Sequence, residues 1–330
     1  MKPTLRGEVI EGRSEVSAQS VGTQGRRGPS SITPKDGDGD AERPTAPFKG
    51  RAQTAQQLIT AALDKGFRDN LQSTFENENN NAALNRLSEL SDPNVDHSWM
   101  WNLSRHHGPT LTSDEFVEAI RIRLGAAGPA EPIPCGRCGA MLLDSAGSHA
   151  ACCSTAEGTR GHYKVSNLMW TAASQCDPSA ETETPGLIPG TDLRPADVLT
   201  TALGNGTTAL DVGIASPDSR HAGRDCTQTM LDAKVRKYSP HFGVLDQQNI
   251  EYKPVIWSSY GRPHAQTLSV LRTLSRRISR RRNVGSAAQV FQQLHGAISV
   301  EIWRKGALQV FSCWPARADN LFHDGDYDMG

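Results

Sequence analysis

No stretch of the chain approaches the roughly 18 consecutive apolar residues that a membrane-spanning helix requires, and none of its segments reads as a span. The opening "MKPTLRGEVIEGRSE" lacks an apolar core of signal-peptide length. No internal repeat is visible, so nothing suggests a stacked-repeat architecture. Apolar residues are also scarce: they make up 37% of 330 positions, and the mean hydropathy is negative. Such a chain can build one large or two small domains with tails left over. These absences predict a soluble intracellular protein.

What is present is unevenly distributed. The formal net charge is -1, yet "KDGDGDAE" near the start is acidic and "RTLSRRISRRRN", residues 272–283, is strongly basic. A polyanionic partner would therefore meet the C-terminal half. Seven cysteines is an odd number for a disulfide scaffold, and four of them crowd between Cys135 and Cys153. Metal binding suits that crowding better.

Residues 1–50 are rich in Gly, Pro, Ser, Thr and charge, cannot offset the entropy of ordering, and read as a disordered tail, as do residues 316–330. Residues 51–130 read as a helical linker segment. There, "AQQLITAALDKG" sets Leu58, Ile59, Ala62 and Leu63 on one face before Gly66, and "AALNRLSELSDP" ends at Pro93. "TSDEFVEAIRIRLG" carries the clearest helix signals. Thr112 and Glu115 have capping-box spacing, Phe116, Ile120 and Leu124 form a stripe, and Gly125 can terminate the helix. Arg121 and Arg123 are expected on its solvated face. The Pro-rich "AAGPAEPIP" then marks a boundary.

Residues 131–158 hold "CGRCGAMLLDSAGSHAACC". Cys135 and Cys138 form a C-x-x-C knuckle whose glycines let two thiolates turn toward one ion. His149 and either Cys152 or Cys153 would complete a closed, structural Zn²⁺ site. The plainer alternative is a set of reduced thiols packed as small hydrophobes. A redox pair is disfavoured because no thioredoxin-like βαβ pattern surrounds it.

Beyond the knuckle, "TRGHYKVSNLMWTAASQC" reads as a helix with Val165, Leu168, Met169 and Ala172 inward. Three strands are expected in "RPADVLTTAL", "TTALDVGIAS" and "YKPVIWSSYG", with a long helical stretch, residues 224–248, before the third. Two more helices close the region. In the first, Leu268, Leu271, Leu274 and Ile278 can face the core while Arg272, Arg276, Arg277, Arg280, Arg281 and Arg282 offer a basic stripe. That stripe suits DNA phosphates, a nuclear localisation signal or plain solvation.

Gly204-Asn205-Gly206 suits a three-residue hairpin loop. Centred on Asn205, it pairs Asp211 with Leu199 and Asp197 with Gly213. Asp197 and Asp211 then share a face as diagonal neighbours, roughly 7–8 Å apart at the backbone. Val198, Leu210, Val212 and Ile214 make the strands apolar, so an unpaired Asp211 would be costly there. Mg²⁺ or Mn²⁺ between the two carboxylates would relieve their repulsion. Lys234 and Lys237 in "LDAKVRKY" stand at i, i+3 on the following helix.

In order, these motifs resemble the C-terminal region of non-LTR retrotransposon polyproteins: a CCHC knuckle, "TRGHYKV", "RPADV", "LDVGIAS" and "AKVRKY", over roughly residues 95–315. The resemblance implies a restriction-endonuclease-like PD-(D/E)XK fold over 159–315, a mixed sheet flanked by helices, behind the zinc knuckle and the helical segment. It implies metal-dependent nicking of target DNA, with Asp197 and Asp211 on Mg²⁺ or Mn²⁺ and Lys234 or Lys237 as the catalytic lysine. It favours Cys153 as the fourth zinc ligand beside Cys135, Cys138 and His149. Nucleic-acid contacts would come from Arg160, His162, Arg276, Arg277, Arg280 and Arg281, the partners being DNA and the element's RNA, in the nucleus. The chain departs from the pattern in two places. Ala196 separates Pro195 from Asp197, and the lysines lie on a helix rather than two residues beyond the second acid. No Y-x-D-D reverse-transcriptase signature is present. The alternative is a catalytically inactive zinc module that binds nucleic acid, or a remnant of the element.

Overall fold

A computed structural model describes residues 55–101, 108–153, 156–204 and 206–314. The two expected tails, the side chains of Leu58 and Ile59, and Asn205 lie outside the described residues. The described residues form one compact unit of mixed α/β architecture. Its helices include α1 (Ala55–Asn77), α2 (Asn81–Leu90), α3 (Ser113–Leu124), α4 (Ser148–Cys152) and α5 (Ala156–Ser174), followed by α6 (Cys226–Tyr238), α7 (Phe242–Gln247), α8 (Ala265–Arg282) and α9 (Ala287–Cys313). A small hairpin pairs β1 (Ile133–Pro134) with β2 (Leu142–Leu143). The main sheet has the order β3 (Glu181–Thr182), β4 (Val198–Thr200), β5 (Thr207–Ala215), β6 (Ile250–Ser258). Its first three strands are antiparallel, and β6 lies parallel to β5 after the α6–α7 crossover.

Strand alternation sorts the core into two layers. Val198, Leu210, Val212, Val255 and Trp257 face α5, α8 and α9, where Val165, Met169, Leu271, Leu274 and Ile298 are buried against them. Ala209, Ile250 and the partly buried Leu199 and Tyr252 face α6 and α7. The odd-numbered positions of β5, Asp211 among them, therefore point to the α6 side. β5 is buried along nearly its whole length, as expected of a strand with helices on both faces.

The β4–β5 register differs from the expected one. Leu199 pairs with Ala209 rather than with Asp211, a slip of two residues that preserves the facing of every side chain. Its cause is Asp177, in the turn after α5. The Asp177 carboxylate accepts from the Thr200 hydroxyl (2.8 Å) and the Thr201 N–H (2.6 Å), and the Thr200 hydroxyl in turn accepts from the Ala202 N–H (3.0 Å). These bonds end β4 at Thr200, whereas the sequence pattern carries the strand on to Leu203.

Other expectations shift for similar tertiary reasons. Helix α1 runs through Gly66, where nothing crowds the backbone, and its Ala62 and Leu63 are exposed. The long stretch before β6 is interrupted by a 3-10 turn, Ser239–His241, that contains Pro240. Helix α3 keeps its capping box and its left-handed Gly125, but Leu124 is 69% exposed while Glu118 and Ala119 are buried. Arg121 and Arg123 are only partly solvated, and each has a protein partner. Arg121 lies 3.7 Å from Glu118, and Arg123 meets His97 at 3.2 Å.

The helical segment, the knuckle and the sheet all lean on α9. Trp99 and Trp303 stack with centroids 4.6 Å apart, and Arg304 bridges Glu301 and Glu115 of α3. Arg262, just after β6, pairs with Glu89 of α2 (2.8 Å) and with Asp225, the N-cap of α6 (2.7 Å).

Asp177 provides a test of the register. Asp177→Ala is expected to cost about 2–3 kcal/mol in urea unfolding at pH 7, since it removes several charged hydrogen bonds from a buried turn. Burial opposes ionisation, but Ser179, Thr201 and Thr200 hold the Asp177 carboxyl well below its ordinary range. That stabilisation is complete above the ordinary carboxylate value and is lost as pH falls below it, so the wild-type advantage should shrink in acid.

Candidate functional site

The turn into β4 and the middle of β5 bring Asp197 and Asp211 to one place. The Asp197 N–H donates to the Leu210 carbonyl at 2.8 Å, and the Val212 N–H donates back to Asp197 Oδ2 at 2.6 Å. Asp197 Oδ1 meets His162 Nε2 of α5 at 3.2 Å. Asp211 is 7% exposed, with Oδ1 taken by the Lys234 ammonium and Oδ2 by the Tyr252 hydroxyl. All four carboxylate oxygens thus carry one protein donor each.

The two acids are driven apart in proton affinity. Burial raises the Asp211 carboxyl and Asp197 adds to this, outweighing Lys234 and Tyr252. Burial also acts on Asp197, but the bonds from His162 and the Val212 N–H leave it below its usual range. Two like charges side by side commonly divide in this way, one remaining ionised and its neighbour becoming the easier to protonate.

The structure separates the two lysines. Lys234 reaches Asp211, while the exposed Lys237 places its ammonium 4.8 Å from the centre of the Tyr238 ring. Gly213 explains how Lys234 enters. It lies two residues beyond Asp211 on the same strand face, and a Cβ there would stand 2.9 Å from Lys234 Cε. Met230 and Ile256 come still closer, so these side chains and the helix lysine together fill the space that a side chain at position 213 would take.

The second cluster lies in the knuckle. Glycine at 139, with φ of +63°, turns the chain after the C-x-x-C, and the Cys135 carbonyl accepts from the Gly139 N–H at 2.8 Å. The ligand atoms of Cys135, Cys138, His149 and Cys153 all lie within 4.8 Å of one another. Cys135 Sγ is 3.8 Å from Cys153 Sγ, and Cys138 Sγ is 3.4 Å from His149 Nε2. A tetrahedral zinc site with Zn–S of about 2.3 Å has S–S edges near 3.8 Å, the separation of the Cys135 and Cys153 sulfurs, so the donor set could hold Zn²⁺. Cys152 is exposed and outside the four. Burial would raise the Cys135 thiol, but the Cys138 and Arg137 N–H groups bring it below the ordinary range. Burial and the neighbouring Cys135 push Cys153 up to about 11, and an ion would have to displace that proton. The knuckle docks on the last turn of α9, where the Gly136 N–H donates to the Cys313 carbonyl at 2.7 Å.

The basic stripe divides as well. Arg277 and Arg281 of α8 donate to the carbonyls of Thr201 and Cys176, and Arg272 lies 6.0 Å from the Phe291 ring centre. Arg276 and Arg280 are exposed, one turn apart. Helix α8 packs on the sheet face opposite the acids. Arg160 is exposed, whereas His162 points at Asp197. Sequence reasoning missed Tyr252, Gly213 and Asp177. A tyrosine inside the apolar "YKPVIW" run was the one visible signal, since a buried phenol wants a polar partner.

Comparison with known proteins gives no match: no family model, no curated protein and no solved structure matches the chain.

The knuckle geometry predicts one zinc per chain by atomic absorption after purification in zinc-containing buffer. Cys153→Ser and Cys135→Ser should each lose the metal, and Cys152→Ser should keep it. A chelator should lower the thermal midpoint of the wild type, because the loop it would free is bonded to α9.

Proposed function

We propose that the chain is a metal-dependent DNA endonuclease of the kind carried by non-LTR retrotransposons, acting on nuclear DNA with the element's RNA as a second polyanion. The carrying observation is the pair of carboxylates on one sheet face with a lysine from the crossover helix reaching between the layers. The order α5, three antiparallel strands, α6 and a parallel β6 supports a PD-(D/E)XK core.

Asp197 and Asp211 would hold Mg²⁺ or Mn²⁺. Each oxygen has one donor now, and a carboxylate oxygen can take a second partner, so the present bonds leave both acids able to accept a hard cation as well. When bound, such an ion supplies Lewis acidity at the phosphorus-bound oxygen and a water of lowered pKa. The chain's own groups do the rest. Lys234 places a positive charge beside Asp211, where negative charge grows during attack on phosphorus. His162 holds Asp197 in one rotamer and leaves its other oxygen on the Val212 N–H. Arg276 and Arg280 can track backbone phosphates away from the cut, which makes binding salt dependent.

A second reading has one observation in its favour. The Lys234 ammonium already neutralises Asp211, so the acid pair is satisfied by the protein itself. In that reading the chain is a zinc-containing nucleic-acid-binding module.

Nicking of supercoiled plasmid by zinc-loaded protein decides between them. With Mg²⁺ or Mn²⁺ present, Asp197→Ala and Asp211→Asn should fall to background while DNA affinity persists. Lys234→Ala should lose about 10²–10³-fold in rate, as expected for removing a charge that stabilises the transition state, and Lys237→Ala should stay near wild type. Nicking by Asp211→Asn at the wild-type rate would sink the endonuclease reading.

A further inference from the structure

We propose that Tyr238 and Tyr252 form an aromatic clamp that positions both carboxylates and Lys234, a role that rests on the endonuclease reading. Neither phenol is offered as a catalytic residue. Both act through the groups they hold.

Tyr252 donates its hydroxyl to Asp211 Oδ2, on the side away from Lys234. With that oxygen fixed, the carboxylate plane can turn little, and Oδ1 keeps its bearing toward the layer between β5 and α6. Tyr238 is 3% exposed, and its hydroxyl donates to the Arg194 carbonyl at 2.9 Å. Arg194 opens the "RPAD" turn, whose Pro195 has a ring-locked φ and whose Ala196 is buried. Holding Arg194 therefore limits where Asp197 can lie.

The two rings touch, with centroids 4.9 Å apart at 55°, and Phe242 of α7 closes the far side at 5.8 Å from Tyr252. A shift of either ring must move its neighbour, because interiors this close-packed leave no slack. One stack thus ties the strand bearing Asp211 to the turn bearing Asp197. It also sets α6, since Lys234 lies one helical turn before Tyr238 on the same face.

The test uses the full zinc-loaded chain and two variants that keep the rings, Tyr252→Phe and Tyr238→Phe, alone and together. Readouts are the unfolding midpoint, KM for plasmid, kcat for nicking, and Mn²⁺ affinity by paramagnetic resonance. Tyr252→Phe should lower kcat and Mn²⁺ affinity by roughly 10–100-fold, the usual cost of losing a hydrogen-bond partner of a metal-binding carboxylate. KM should hold, and the midpoint should fall only by the modest amount expected for one lost buried hydrogen bond. Tyr238→Phe should act in the same direction through the lost bond to the Arg194 carbonyl, and because the rings stay stacked and the two hydroxyls hold different groups, the double variant should lose about the product of the single losses. Wild-type kcat and Mn²⁺ affinity in Tyr252→Phe, within a chain that nicks, would overturn the clamp and leave the endonuclease standing. A wild-type chain with neither Mn²⁺ binding nor nicking overturns the endonuclease reading itself, and this role with it.

Discussion

Two carboxylates taken out of water into an apolar strand pair repel one another and lose hydration together, and each must be compensated by donors from elsewhere in the fold. Asp197 draws on α5 through His162 and on the β5 backbone through Val212, and Asp211 draws on α6 through Lys234 and on β6 through Tyr252. The compensation comes from both helical layers and from two strands. The acid pair therefore sits where the layers meet, and elements that look like scaffolding also set its charge balance.

A second constraint is carried by α9. It supports α3 through Trp99 and Trp303, receives the knuckle at Cys313, and closes the sheet layer through Ile298 and Ile302. The Glu89–Arg262–Asp225 group fastens α2 to the start of α6 and to the end of β6. Removing Arg262 would strand Glu89 as a buried charge without its partner, a costly change even though an intact buried pair adds little net stability.

Much of the site was legible in the sequence because it is local. The C-x-x-C turn, the capping box of α3, the apolar setting of Asp211 and the inward leucines of α8 each follow from neighbours a few residues away. What could not be read depends on contacts distant along the chain. The slip in β4–β5 register comes from Asp177, beyond the end of another helix. Helical spacing puts Lys234 and Lys237 on one face, and only the empty position at Gly213 separates them. Gly66 looked like a helix end, yet an exposed glycine costs a helix only about 1 kcal/mol, and α1 continues past it. His162, a nucleic-acid contact by resemblance, belongs with the acids because α5 crosses the edge of the sheet at Asp197.

The bond from Gly136 to the last turn of α9 has a consequence for synthesis. A ribosome releases the cysteine loop long before it has made the surface that covers it, and at about 5–20 residues per second the interval lasts several seconds or more. During that time the loop can already fold around an ion, since its four ligands come from a short, continuous segment. Capture of an ion and burial against α9 would then be separate events in the life of the chain. An ion bound early would shield three nucleophilic sulfurs until the helix arrives to close over them.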